Sequence, residues 1–131
     1  MWRPRSQPDD PLLQDLVRAV GKDGVTDGAA ARRLYSRDGS IITGGRAGIV
    51  CFPKTTEEVK GCVVAARTHG RGFVPRGAGT GLAGGSVPCD DPVVIVTTRM
   101  DKILEVDYAQ QLAWVEPGVV NLDLMRFLSG S

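Results

Sequence analysis

The clearest chemistry in the sequence lies in Pro75-Arg76-Gly77-Ala78-Gly79-Thr80-Gly81-Leu82-Ala83-Gly84-Gly85, with five glycines between positions 77 and 85. Closely spaced glycines tolerate positive φ and turn consecutive backbone N–H groups to one side, forming a nest that holds anions, phosphates above all. The missing Cβ atoms also let a bulky ligand come within hydrogen-bond reach of the main chain. Thr80 adds a hydroxyl, and Arg76 a permanent charge that gains charge-assisted hydrogen bonds beside a diphosphate. The chemistry on offer is anion binding rather than proton transfer.

Spacing sorts the kinds of anion site. Gly79 to Gly84 satisfies G-x-G-x-x-G, but a dinucleotide fingerprint opens a helix inside the motif, whereas Ser86-Val87-Pro88-Cys89-Asp90-Asp91-Pro92 follows here. A P-loop needs Lys after its last glycine, and Gly85 stands there. An unliganded surface connection is the plain alternative. A loop this rich in glycine, entered directly from an apolar strand, is entropically costly unless something fixes it.

Other reactive residue types are scattered. Cys51, Cys62 and Cys89 form no C-x-x-C pair and have only His69 to combine with, so neither zinc nor a disulfide framework is expected, and reduced thiols suit the cytoplasm. Cys51 and Cys62 fall on apolar faces and read as core, leaving Cys89 as the reactive thiol. His69 reads as compensating a helix C-terminus. Glu105 and Asp107 alternate along a strand and read as a solvated face rather than an acid–base pair. Trp114 reads as packed. No catalytic residue is assigned.

The elements that must carry the loop follow from patterning. Residues 1–8 read as a loose tail. Asp10 caps and Pro11 opens a helix whose Leu12, Leu13, Leu16, Val17 and Val20 recur at helical spacing. A short helix from Asp27 to Tyr35 and a glycine-rich connection complete a mainly helical segment over 9–48. From Ile49 onward a strand to Phe52, a helix behind the capping box Thr55-x-x-Glu58, and the strand Phe73-Val74-Pro75 predict a parallel crossover. Val93 to Val96 is an apolar strand, 103–108 and 112–116 form a hairpin, and Asn121 caps a last helix. The fold class is α+β, a small mixed sheet of four or five strands with three or four flanking helices.

Composition narrows the partners. The 131 residues are 42% hydrophobic and 24% charged, an ordinary soluble domain, and a net charge of +1 gives no field to gather nucleic acid or anionic lipid. Charges and prolines interrupt the first residues, and no apolar run approaches membrane-spanning length.

Taken together, the 75–85 loop, Val93 to Val96 with Arg99-Met100, Ile103 to Asp107, and Val115-Glu116-Pro117-Gly118-Val119 with Asn121 resemble the FAD-binding domain of the vanillyl-alcohol oxidase type flavoenzymes. The likeness is greatest to the glycolate oxidase and D-lactate dehydrogenase branch. Tyr35-Ser36-Arg37-Asp38 and Thr55-Thr56-Glu57-Glu58-Val59 extend it over nearly the whole chain. The resemblance implies a FAD-dependent oxidoreductase acting on D-2-hydroxy acids such as glycolate or D-lactate. It implies that Arg76, Gly77, Ala78, Gly79, Thr80, Gly81, Gly84 and Gly85 wrap the FAD diphosphate, with Pro117 and Gly118 near the cofactor. Thr80 stands nearest the place where some members carry a flavin-linked histidine, which implies non-covalent FAD. Residues 49–131 would be the first half of such a domain. The remaining half and a substrate-binding cap domain lie outside this chain, which implies a fragment, or a subunit whose exposed face is covered by a second subunit or by a homodimer.

Overall fold

A computed structural model describes residues 9–130, so the tail expected over 1–8 lies outside the described residues. Helix α1, Pro11–Val20, starts where Asp10 accepts a hydrogen bond from the Leu12 N–H at 3.0 Å, with proline at the first turn, where its missing N–H costs nothing. Its Leu12 and Leu16 are buried. A short 3-10 turn, Lys22–Gly24, leads into β1, Val25–Thr26, and helix α2 follows at Ala29–Leu34. Strand β2 is Val50–Cys51, helix α3 Thr56–Thr68, strand β3 Phe73–Arg76 and strand β4 Val93–Val96. At the start of α3 the Thr55 hydroxyl accepts from the Glu58 N–H at 3.2 Å, while the Glu58 carboxylate reaches one residue further than a standard capping box, to the Lys54 N–H at 2.7 Å.

The sheet runs β1-β2-β4-β3, with β2 and β3 both parallel to β4 and β1 antiparallel to β2. The expected crossover exists, but β4 sits between the two strands it was expected to join. The reason is burial on both faces. All four residues of β4 are at most 1% exposed, so this run takes the centre, while β3, whose Pro75 cannot donate to a ladder, takes an edge. Strand β1, absent from the sequence reading, is two residues long and too short to show a period.

Alternation along β4 divides the core. Val93 and Ile95 face α1 and α3, joining Leu12, Leu16, Cys51, Cys62 and Ala66, while Val94 and Val96 join Val50 and Ala47 under Tyr35 and Phe52 on the other face. Fully burying a side chain such as Leu16 contributes roughly 1.5–3 kcal/mol. Cys51 and Cys62 are both completely buried, as expected. A hydrogen bond shared with Cys62, together with burial, holds the Cys51 thiol far above the ordinary range and keeps it protonated.

Strands β5, Ile103–Asp107, and β6, Leu112–Val115, form a separate antiparallel hairpin, followed by helix α4, Asn121–Ser129. Two expectations fail here. Asn121 is the first helical residue rather than the cap, because the Val120 carbonyl already accepts from the Asp123 and Leu124 N–H groups and no side chain caps the end. Trp114 is half exposed, because the hairpin is a sheet of its own that contributes no residue to either core cluster.

Candidate functional site

The glycine loop leaves the C-terminal end of β3, next to that of β4, the end of a parallel sheet at which ligands collect. Facing it is a wall the sequence reading had treated as connection, residues 36–45. The two are in close contact, backbone to backbone at Gly39 and through the Ile42 side chain at Gly84, and the wall is itself tightly folded at Gly45. A Cβ on Gly39 would press on the Thr80 and Gly81 carbonyls, one on Gly45 would strike the Ser36 carbonyl, and one on Gly84, which sits at φ +75°, would strike Ile42. Asp38 ties the wall together, accepting from the Ser40 N–H at 2.9 Å and from the Ser86 hydroxyl at 3.4 Å. Hydrogen bonds from Ser40, and then from Ser86, hold the Asp38 carboxyl below its usual range, so it is ionised at neutral pH.

Between the walls lies an open cavity of about 1120 Å³ whose lining includes Arg33, Arg37, Arg76, Gly79 and Thr80, with Asp38 as its acidic residue. Three guanidinium groups against one carboxylate make it a cationic hollow. A neighbouring cavity of about 550 Å³ shares Arg33 and also holds Arg32 and Arg46, which are paired: Arg32 meets Asp91 at 3.0 Å, and Arg46 lies 3.8 Å from both Asp90 and Asp91.

The expected site residues behave differently from one another. Gly79 takes φ +75°, and Gly79 and Gly84 are needed where they stand. Gly77, Gly81 and Gly85 have no positive φ and nothing within 4 Å of where a Cβ would be. Arg76 does not stand at the rim. It is 9% exposed, its Nη1 donates to the Arg37 carbonyl, and its guanidinium lies 5.2 Å from the centre of the Tyr35 ring. Ala78 and Thr80 are exposed on the loop. Of the expected residues only Arg76, Gly79 and Thr80 line the cavity, whereas Gly77, Ala78, Gly81, Gly84, Gly85, Pro117 and Gly118 do not. Gly118 abuts the turn after β4, where a Cβ would strike the Thr97 and Met100 carbonyls, and its N–H donates to Met100 at 2.7 Å. Thr97 in turn donates to the Arg76 carbonyl at 2.8 Å, so that turn joins the two groups of residues.

Sequence reasoning missed Tyr35, Arg37 and Gly39 as site residues. Their signal was present in the Tyr35-Ser36-Arg37-Asp38 motif and the turn-forming 36–40 stretch. His69 lies elsewhere, at the end of α3, with Nε2 2.7 Å from an Asp15 carboxylate oxygen on α1. Cys89 is exposed. Among the described residues no three His, Cys, Asp or Glu side chains gather as a metal site, and no helix is long and apolar enough to cross a membrane.

A mixed sheet whose parallel strands β3 and β4 end beside a glycine loop and an arginine-lined hollow has the architecture of an anion-binding domain. Residues 47–131 match the family model described as FAD binding domain, and the chain belongs to that family, whose cofactor is FAD. It is 33% identical over 115 residues to glycolate oxidase subunit GlcD of Bacillus subtilis (strain 168), covering 88% of this chain and 24% of that protein. It is 31% identical over 119 residues to D-2-hydroxyglutarate dehydrogenase of Stutzerimonas stutzeri (strain A1501), covering 90% of this chain and 26% of that protein. Among solved structures, alkyldihydroxyacetonephosphate synthase superposes with a TM-score of 0.82 at 22% identity, over 99% of this chain and 26% of its own, a likeness of fold. The chain thus spans about a quarter of the length of these relatives.

Proposed function

We propose that this chain supplies the diphosphate cradle of a FAD-dependent oxidoreductase that oxidises a D-2-hydroxy acid of the glycolate or D-lactate type. The observation that carries the cradle is the state of Gly77, Gly81 and Gly85, bare backbone that the chain's own fold neither twists nor crowds. Bare main chain beside a cationic hollow suits close approach by a phosphorylated ligand. The N–H groups of Gly77, Ala78, Gly79, Gly81, Gly84 and Gly85 and the Thr80 hydroxyl would hold the diphosphate, Arg76 would add its charge, and Pro117 and Gly118 would belong to the outer part of the cofactor site. With no histidine in the loop, FAD is held without a covalent bond.

Bound FAD supplies the electron acceptor, and the protein supplies binding and orientation. The substrate class is supported by the named activities of the two relatives. The matched stretch is about a quarter of each relative, and we assign substrate binding and proton transfer to a cap domain or second subunit, with the cradle by itself carrying out no turnover. Unpaired cysteines support a cytoplasmic location.

One observation favours a second reading, a chain that keeps the fold yet needs a partner to hold flavin. The hairpin and α4 expose Leu104, Leu112, Trp114, Leu122 and Met125, each at 50% or more, large apolar side chains of the kind that an interface covers. Titration with FAD, followed by quenching of flavin fluorescence and by visible absorption, separates the two. Saturable binding supports the first reading. A well-folded protein that fails to bind at ~100 μM FAD, a free energy weaker than about −5.5 kcal/mol, supports the second.

A further inference from the structure

Arg76 closes an edge strand and opens the glycine loop, yet it is among the few charged residues the fold buries. Most of its guanidinium is engaged with the chain. Nη1 donates to the Arg37 carbonyl, the plane lies over the Tyr35 ring, and Nη2 occupies the space where Gly79 lacks a Cβ. Its Nε–H is covered and finds no acceptor among the described residues. Desolvating a cation is costly, and here the cost is offset by the aromatic face and a charge-assisted hydrogen bond. Turning this fork outward toward a ligand would break those contacts.

We infer that Arg76 is a positioning residue: its buried fork ties the glycine loop at Gly79 to the Tyr35–Arg37 segment and fixes the gap between the two walls of the cavity. The clamp rests on geometry alone, whereas its consequence for cofactor affinity rests on the cradle proposed above. Tyr35 supplies the face, Arg37 the carbonyl and Gly79 the gap. Lysine cannot substitute, because a compact ammonium lacks the planar fork that stacks on a ring while donating sideways.

The test is amide hydrogen exchange on the full chain, with a parallel FAD titration, in R76K, Y35L and Y35F. In R76K and Y35L the amides of 77–81 and 37–40 should exchange at least tenfold faster, while those of 62–66 and 93–96 keep their protection. FAD affinity should fall at least fivefold in both. Y35F keeps the ring and should match the parent. If R76K does not fold, the local pattern in Y35L carries the decision. The inference is overturned if R76K retains loop protection and affinity, since charge alone would then suffice. It is also overturned if both R76K and Y35L lose protection uniformly through α3 and β4. A parent chain that binds no FAD while the exchange pattern holds removes the cofactor reading and leaves the clamp. Unchanged exchange with intact FAD binding does the reverse.

Discussion

Replacing Gly77, Gly81 or Gly85 singly by alanine should separate binding from folding. At these positions the backbone needs no positive φ, and an added methyl meets nothing within 4 Å. Alanine at an unstrained glycine restricts the unfolded chain and stabilises by roughly 0.4–1 kcal/mol. For a domain of this size that is about 2–4 °C in melting temperature. A phosphate drawn against the loop would meet the new methyl and lose a hydrogen bond to an N–H, a charged interaction of about 1.5–3 kcal/mol. FAD affinity should therefore fall roughly 10- to 150-fold while the apo protein melts at the same temperature or slightly higher. Thermal melts without FAD and fluorescence titrations with it measure the two independently. Parental affinity in all three variants would refute the claim that the ligand comes against this backbone, and a drop in apo stability would refute the claim that the fold leaves these glycines unused.

Gly118→Ala should show the opposite pattern. Its Cβ would strike backbone carbonyls of Thr97 and Met100, so overpacking of about 1–3 kcal/mol adds to a hydrogen bond of about 1 kcal/mol, and the urea midpoint should drop by ~1–2 M. A stability unchanged by this substitution would refute the packing role of Gly118. Thr55→Ala removes the cap of α3 and should cost about 1 kcal/mol in urea unfolding, a loss that Thr55→Ser largely restores. Asp15→Asn probes the link between α1 and α3. The hydrogen bond from His69, then Arg18, lowers the Asp15 carboxyl from 3.8, so its contribution is present above that value and lost as pH falls through the folded-state value. The melting temperatures of parent and variant should differ at pH 5 and converge toward pH 2, and a gap constant across that range would dismiss the pairing.

Much of the scaffold was legible because it is locally encoded. Asp10-Pro11 and Thr55 announce helix starts through capping groups within three residues, and Val93 to Val96 announces a strand buried on both faces through four consecutive apolar residues. The glycine loop and its flanking motifs carry the family by themselves, since they are contiguous stretches of sequence. Asn121 misled because asparagine favours a cap position, while the backbone carbonyl of Val120 had already taken that role.

By itself the sequence determined the helices, the central strand, the glycine loop and the family, since each depends on the order of neighbouring residues. Tertiary structure alone decided that β4 inserts between β2 and β3, that residues 36–45 form the opposite wall of the cavity, and that Arg76 is buried under Tyr35. These pairings join positions far apart along the chain, 41 residues for Tyr35 and Arg76, 44 for Val50 and Val94 and 48 for Asp38 and Ser86. Nothing local encodes such distances. They follow from which surfaces remain to be buried once the elements have formed, and a carbonyl acceptor such as that of Arg37 is offered by every residue alike.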